Sequence, residues 1–345
     1  MQPQKYTDII KILSNLRLPL ILGVVFIHSN ILIHFTGNAN EILGFEWFLK
    51  IWNQVLDLCV PTFFLISGYL YFRNGFLTRL SFIEKFRRRI NTLIVPYLLW
   101  NFIGFVLLML KTTPQLSAMF PQYQHFFDYW PNIFIGVFAL PDGLYPFDMP
   151  LWFLRNLIII NCLTPIISLI FKYARVWGLF LIGSLCGFDQ LAAYGITASI
   201  WYFSIGATFA LFCPDLDVIR RYRWAFLALF FLFFALELKW ADRYLDILTC
   251  TFGAVFIIII AQKVFNNGRQ IWHNAELIFF VYACHGLYCS VTTKIAYNAL
   301  FPLTSVRAFA AYFFALILNL SITLLIYFIS KKCFPKFTRI LTGSR

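Results

Sequence analysis

The sequence predicts an all-α, polytopic membrane bundle of about ten transmembrane helices with both termini in the cytoplasm. Three observations lead there. The 345 residues are 61% hydrophobic and 12% charged, with 42 phenylalanines, more apolar surface than one soluble core can hide. The apolar residues gather into windows of roughly 20, the length that crosses a hydrocarbon core. The basic residues fall between those windows, mostly on one side.

In chain order the windows are residues 14–35, 51–72, 91–110, 151–171, 176–190, 196–213, 224–238, 244–264, 275–297 and 307–330. Residues 1–15 lack the short apolar core and small-residue cleavage site of a secretory signal, so the first window is expected to remain as a span. The fifth and seventh are short, as tilted or partly irregular spans would be. With the amino terminus inside, 21 of the 28 Lys and Arg residues fall on the inner side. That asymmetry sets the orientation and places the chain as a multi-pass protein of the inner (cytoplasmic) membrane. Residues 111–150 form one long external segment whose Pro, Tyr, Trp and Phe content predicts a lid at headgroup depth. Its apolar "NIFIGVFAL" is too short to span. No repeat, low-complexity tract or soluble domain interrupts the chain, which reads as a single integral membrane domain over residues 1–345.

The net charge of +13 does not point to nucleic acid, because short basic clusters at span ends serve topology and anionic lipid headgroups. The eight cysteines lie mostly in apolar segments without a CxxC pair. No grouping of His with Cys or carboxylates has zinc spacing, so no metal or redox centre is expected.

Polar residues inside the windows carry the functional reading. In "LRLPLILGVVFIHSN", Arg17 and His28 are 11 residues apart. At 100° per residue this is three turns plus about 20°, so the two share a helix face with a rise of about 16 Å between them. A lipid-facing Arg is costly, which turns the stripe toward a cavity. A thin anionic ligand entering from the cytoplasm would set a phosphate on Arg17 and a reactive end on His28, and coenzyme A thioesters have that shape. The plainer alternative has Arg17 snorkelling to headgroups and His28 capping a carbonyl. His285 in "ELIFFVYACHGLYCS", Asp57 in "VLDLCVPTFF", and Arg155 with Asn156 in "LWFLRNLIII" add polar groups in three further spans. One shared cavity explains them more easily than separate packing roles. Pro61 and Ser67–Gly68 in "VPTFFLISGYLYF" predict a bent, closely packed helix beside that cavity. Arg87, Arg88 and Arg89 stand at the inner end of the third window, where topology and phosphate recognition compete as explanations. Arg89, nearest the span, is the stronger ligand candidate.

With these residues in place, the chain resembles the acyltransferase-3 family of integral membrane acyltransferases, and within it the bacterial O-acetyltransferases of surface polysaccharides and their lipid-linked precursors. The resemblance runs from Arg17 to about residue 330. It rests on the Arg, ten residues, His arrangement together with "VPTFFLISGYLYF", "RRRINTLIVPYLLWN", "LWFLRNLIII", "WYFSIGATFA" and "FFVYACHGLY" in that order. It implies an acyl-CoA donor, usually acetyl-CoA, taken from the cytoplasm, no permanently bound cofactor, and a glycan or lipid-linked glycan hydroxyl as acceptor. His28 then corresponds to the family's essential histidine and Arg17 to the arginine of its motif. Where many members carry a second arginine three residues beyond Arg89, this chain has Thr92. Part of the phosphate role therefore passes to Arg87 or Arg88. His285, Asp57, Arg155, Asn156 and Ser67 are expected around the substrate cavity, orienting His28 or binding the glycan.

Neutral histidine suits removal of a proton from an attacking sugar hydroxyl, or brief carriage of the acyl group itself. The main rival is a non-enzymatic transporter or flippase of lipid-linked glycans, whose inverted repeats and paired broken helices are not evident in the sequence. A membrane succinyltransferase or N-acyltransferase would share the mechanism and differ in the transferred group or the acceptor.

Overall fold

A computed structural model describes residues 3–113, 137, 146–186, 195–265, 271 and 274–343. Every regular element among them is helical. The α-helices are α1 (Pro3–Asn15), α2 (Arg17–Ile27), α3 (Leu43–Leu56), α4 (Cys59–Phe72), α5 (Arg79–Arg89), α6 (Val95–Lys111), α7 (Trp152–Ala174) and α8 (Gly178–Cys186). They continue with α9 (Ile196–Phe212), α10 (Asp217–Arg221), α11 (Arg223–Trp240), α12 (Arg243–Val264), α13 (Ala275–Cys284), α14 (Cys289–Ala299), α15 (Ser305–Cys333) and α16 (Pro335–Leu341). Most of the expected lid, with His125, lies outside the described residues, as do residues 187–190 and His273.

Six helical stretches are long and apolar enough to cross a membrane: Ile9–His34, Leu43–Phe72, Arg79–Lys111, Met149–Leu185, Arg243–Val264 and Ser305–Cys333. A seventh arises if Ala275–Leu287 and Cys289–Ala299, bent by 65°, count as one broken span. The difference from ten expected spans has local causes. The fourth window and residues 176–185 of the fifth fall within one helical stretch, and α9 is only 17 residues long. The window at 224–238 corresponds to α11, which carries Arg223, Glu237 and Lys239.

Prolines decide where the long stretches are interrupted. A proline has no N–H, so the carbonyl four residues before it loses its helical partner and the helix breaks or widens there. Pro19 offers no N–H to the carbonyl of Asn15, and α1 gives way to α2 at Leu16. Pro61 leaves the carbonyl of Asp57 without its helical donor, and α3 gives way to α4 across Asp57 and Leu58, with the Cys250 sulfur 3.9 Å from that carbonyl oxygen. Pro96 offers no N–H to the carbonyl of Thr92, and the turn Ile90–Ile94 between α5 and α6 takes the wider π form. Pro165 leaves α7 intact, because the Thr164 hydroxyl donates to the freed carbonyl of Asn161 at 2.7 Å.

The main core joins Leu20 and Val24 of α2, Phe64, Leu65 and Phe72 of α4, Phe203 of α9, Ile258 of α12 and Phe280 of α13. Its closest crossing is α4 on α9. A methyl group at Gly68 would collide with the carbonyl of Phe203, and one at Gly206 with that of Leu65. Two facing glycines thus let the backbones touch, as the sequence led us to expect for Gly68. A smaller cluster of Ile42, Phe45, Leu49, Ala308, Ala311 and Tyr312 ties α3 to α15, and the Tyr312 hydroxyl donates to the carbonyl of Phe26 at 3.0 Å.

Candidate active site

The helix interruptions converge on one cavity of about 770 Å³, within the range of about 300–1,000 Å³ usual for small-molecule sites. Arg17, His28, Asp57, Ser67 and Arg89 all line it. Arg17 opens α2 directly after the break at Leu16, and His28 caps the carboxy-terminal end of the same helix. The stripe expected from the sequence therefore faces a cavity rather than lipid. Ser67 sits one residue before the α4–α9 contact, and Arg89 ends α5 where the π turn begins.

Charge divides the cavity. Arg17 and Arg89 stand close enough to repel one another. Neither guanidinium makes a side-chain hydrogen bond or ion pair with another described residue. Two cations without a partner among the described residues give this part of the cavity wall a positive charge, which is unfavourable to leave uncompensated inside a helical bundle. A second part of the wall is acidic: Asp57, Glu237 and Asp246 line it and repel one another, with Tyr202 and Cys250 beside them. The Cys250 thiol donates to Asp246 Oδ1 at 3.4 Å.

The remaining expected residues take different places. His285 is fully buried and does not line the cavity, but its ring centroid lies 5.2 Å from that of His28. Arg155 and Asn156 are buried behind the wall. Arg155 Nε donates to Asn156 Oδ1 at 3.1 Å, and Asn156 Nδ2 donates to Ser199 Oγ at 3.1 Å, with Ser199 on the cavity surface. Arg87 and Arg88 are exposed; Arg88 pairs with Glu84 on its own helix and does not reach the cavity. Of the three consecutive arginines only Arg89 does. His34 bonds Thr293 at 3.1 Å, away from the site, and no group of His, Cys and carboxylates among the described residues has the geometry of a metal centre.

Sequence reasoning passed over Glu237 and Asp246, although both fall inside expected spans, where an acidic residue is itself a signal. It also passed over Asp148, just ahead of α7, which is 1% exposed with neither carboxylate oxygen hydrogen-bonded to another described residue. No local pattern marks that residue.

Comparison with known proteins gives three findings. No solved structure matches the chain. A succinoglycan biosynthesis protein, ExoH, of Rhizobium meliloti (strain 1021) is 27% identical over 165 residues, which cover 47% of this chain and 43% of the relative. The chain thus matches less than half the length of that curated relative. The acyltransferase-domain model of the acyltransferase-3 family covers residues 10–328, from the first turns of the helix pair bearing Arg17 and His28 almost to the end of α15. A match over nearly the whole helical bundle, with the cavity inside it, means that this chain belongs to the acyltransferase-3 family.

Proposed function

We propose that this protein is an inner-membrane O-acyltransferase that takes an acyl group from acyl-CoA at the cytoplasmic side and places it on a hydroxyl of a surface glycan or its lipid-linked precursor. The observation that carries the reading is the pairing of two unpartnered guanidiniums, Arg17 and Arg89, with an imidazole about 16 Å along one helix in a single cavity. That spacing fits a phosphate-bearing carrier whose thioester sits at a distance from its charges. The family membership supports acyl transfer, and the relative's role in making a polysaccharide supports a glycan acceptor. The acidic wall of Asp57, Glu237 and Asp246 offers acceptors for sugar hydroxyls and repels a second anion, which favours it as the glycan end.

In this reading neutral His28 accepts the proton of the sugar hydroxyl as its oxygen attacks the thioester carbonyl carbon. The carbon–sulfur bond breaks, the coenzyme A thiolate leaves, and the imidazolium returns its proton to that sulfur. Atoms and charge balance without a further reactant. The preferred acyl group is acetyl, with succinyl the runner-up, and both termini lie in the cytoplasm.

The test is turnover by the purified full chain in detergent, given acetyl-CoA or succinyl-CoA and a lipid-linked glycan fraction, read as free thiol and as mass added to the glycan. Acceptor-dependent thiol release by the native chain, with loss of about 10²–10⁴-fold in His28→Ala, is expected. Near-normal acyl transfer in that variant would remove His28 from the chemistry. Glycan movement with neither product would favour a transporter.

A further inference from the structure

His285 presents a buried acceptor with nothing to accept. It is fully buried at the break between α13 and α14. Its Nδ1 lies 3.0 Å from the carbonyl oxygen of Val281, one turn back. A carbonyl only accepts, so Nδ1 carries the hydrogen, and in the neutral ring Nε2 is left as a bare lone pair. That Nε2 is buried and has no hydrogen-bond partner among the described residues. Burying a bare acceptor is costly, and proteins retain few of them without a use.

The rest of the residue is held firmly. The carbonyl of His285 accepts from Asn319 Nδ2 at 3.2 Å, and a methyl at Gly286 would run into Pro150 and approach Asp148 Oδ1, so the break is packed on both sides. Among the described residues the ring packs against that of His28, with centroids 5.2 Å apart and planes inclined by 38°. No hydrogen bond joins the two rings in the structure, but at that separation a rotation of either ring that turns two edge nitrogens toward each other brings them within hydrogen-bond reach. His28 has no side-chain hydrogen bond to another described residue, so its tautomer is not fixed by any other group.

Resting on the acyl-transfer reading above, we propose that His285 is a positioning residue: its bare Nε2 accepts the N–H of His28, fixing the His28 tautomer so that the other ring nitrogen turns its lone pair toward the substrate. The device replaces the carboxylate that orients the histidine of a hydrolase triad with a neutral imidazole tethered to a backbone carbonyl. His285 keeps its own Nδ1–H throughout and takes no net proton. The proton borrowed by His28 enters and leaves at the cavity-facing nitrogen.

Two variants separate orientation from folding. His285→Gln keeps an amide oxygen able to accept from His28, and His285→Leu keeps bulk without an acceptor. The full chain, labelled with ¹⁵N-histidine in lipid nanodiscs, is examined by NMR, with His28→Gln identifying the His28 signals. The expected result is one neutral His28 tautomer in the native chain and in His285→Gln, and a mixture of two in His285→Leu. In turnover, His285→Leu is expected to lose about 10²-fold or more in kcat with the KM for donor unchanged, and His285→Gln to stay within about tenfold of native. An unchanged His28 tautomer in His285→Leu overturns the inference even if turnover falls. Because the NMR readout needs no reaction, it decides this point should the chain transfer no acyl group.

Discussion

Arg17 and Arg89 offer the most direct measurement. In most proteins an arginine is hard to interrogate, because removing it orphans the carboxylate it was paired with and confuses binding with folding. Here neither side chain has such a partner among the described residues, and the two repel each other. Replacing either by glutamine therefore strands no buried anion and relieves a repulsion. Without ligand, the thermal midpoint in detergent should hold or rise. With coenzyme A or acetyl-CoA the effect reverses. A hydrogen bond to a charged group contributes about 1.5–3 kcal/mol, so each single variant should weaken donor binding by about 10- to 150-fold at about 1.4 kcal/mol per tenfold. If both guanidiniums grip one phosphate group, the double variant falls short of the sum by more than the roughly 0.5 kcal/mol scatter of independent sites. Lysine at either position keeps the charge but loses the planar fork, and should sit between native and glutamine. Calorimetric titration of the purified chain, paired with unfolding scans in its absence, reads both halves. Donor affinity within twofold of native in both single variants, or a fall in ligand-free stability without a change in affinity, would refute the anion site and leave these arginines as headgroup anchors.

Three further outcomes follow from the geometry. Arg88→Gln, at an exposed residue paired within its own helix, should leave donor affinity within about twofold and stability within about 0.5 kcal/mol, checked in the same titrations. Gly68→Ala forces a methyl against the Phe203 carbonyl, and overpacking of this kind costs about 1–3 kcal/mol or more; a lowered thermal midpoint and poor recovery from the membrane should report it. Pro61→Ala returns an N–H to the Asp57 carbonyl and lets α3 run on into α4, so the chain should be at least as thermostable as native. The same variant should have a raised acceptor KM, because Asp57 is carried away from Glu237 and Asp246; an unchanged KM would mean that the break has no part in binding.

Much of this arrangement was legible in the sequence, for a reason particular to membranes. In a soluble protein an Arg or His in a helix carries little information, but in a 20-residue apolar window it must be compensated, so Arg17, His28 and Asp57 drew notice one by one, and Arg89 as the arginine nearest the third window. Helical phase then placed Arg17 and His28 on one face correctly, because α2 is unbroken between them. Helical phase cannot place residues on different helices against one another, and there the reading lost detail. It left Arg88 and Arg89 with overlapping roles, although a rotation of 100° sends one to solvent and the other to the cavity. It placed His285 and Arg155 alike near the substrate, whereas one packs against the His28 ring and the other lies behind Asn156.

The signal left unused was the prolines. Pro19, Pro61 and Pro96 each stand four residues beyond a carbonyl at or beside a helix irregularity, and Arg17, Asp57 and Arg89 lie within three residues of those carbonyls. His285 sits at a fourth irregularity made without proline, through Gly286. A regular helix presents its side chains outward at fixed angles and satisfies its backbone internally, which leaves no freedom to aim several polar groups at one point. Breaks supply that freedom, and in lipid they are tolerated where they line a cavity or are buried by neighbours. The polar residues and the broken helices are therefore one feature. A sequence search that pairs a charged residue in an apolar window with a proline two to seven residues downstream would have selected Arg17 and Asp57 here, with Arg89 just outside its window, and would have passed over Arg155.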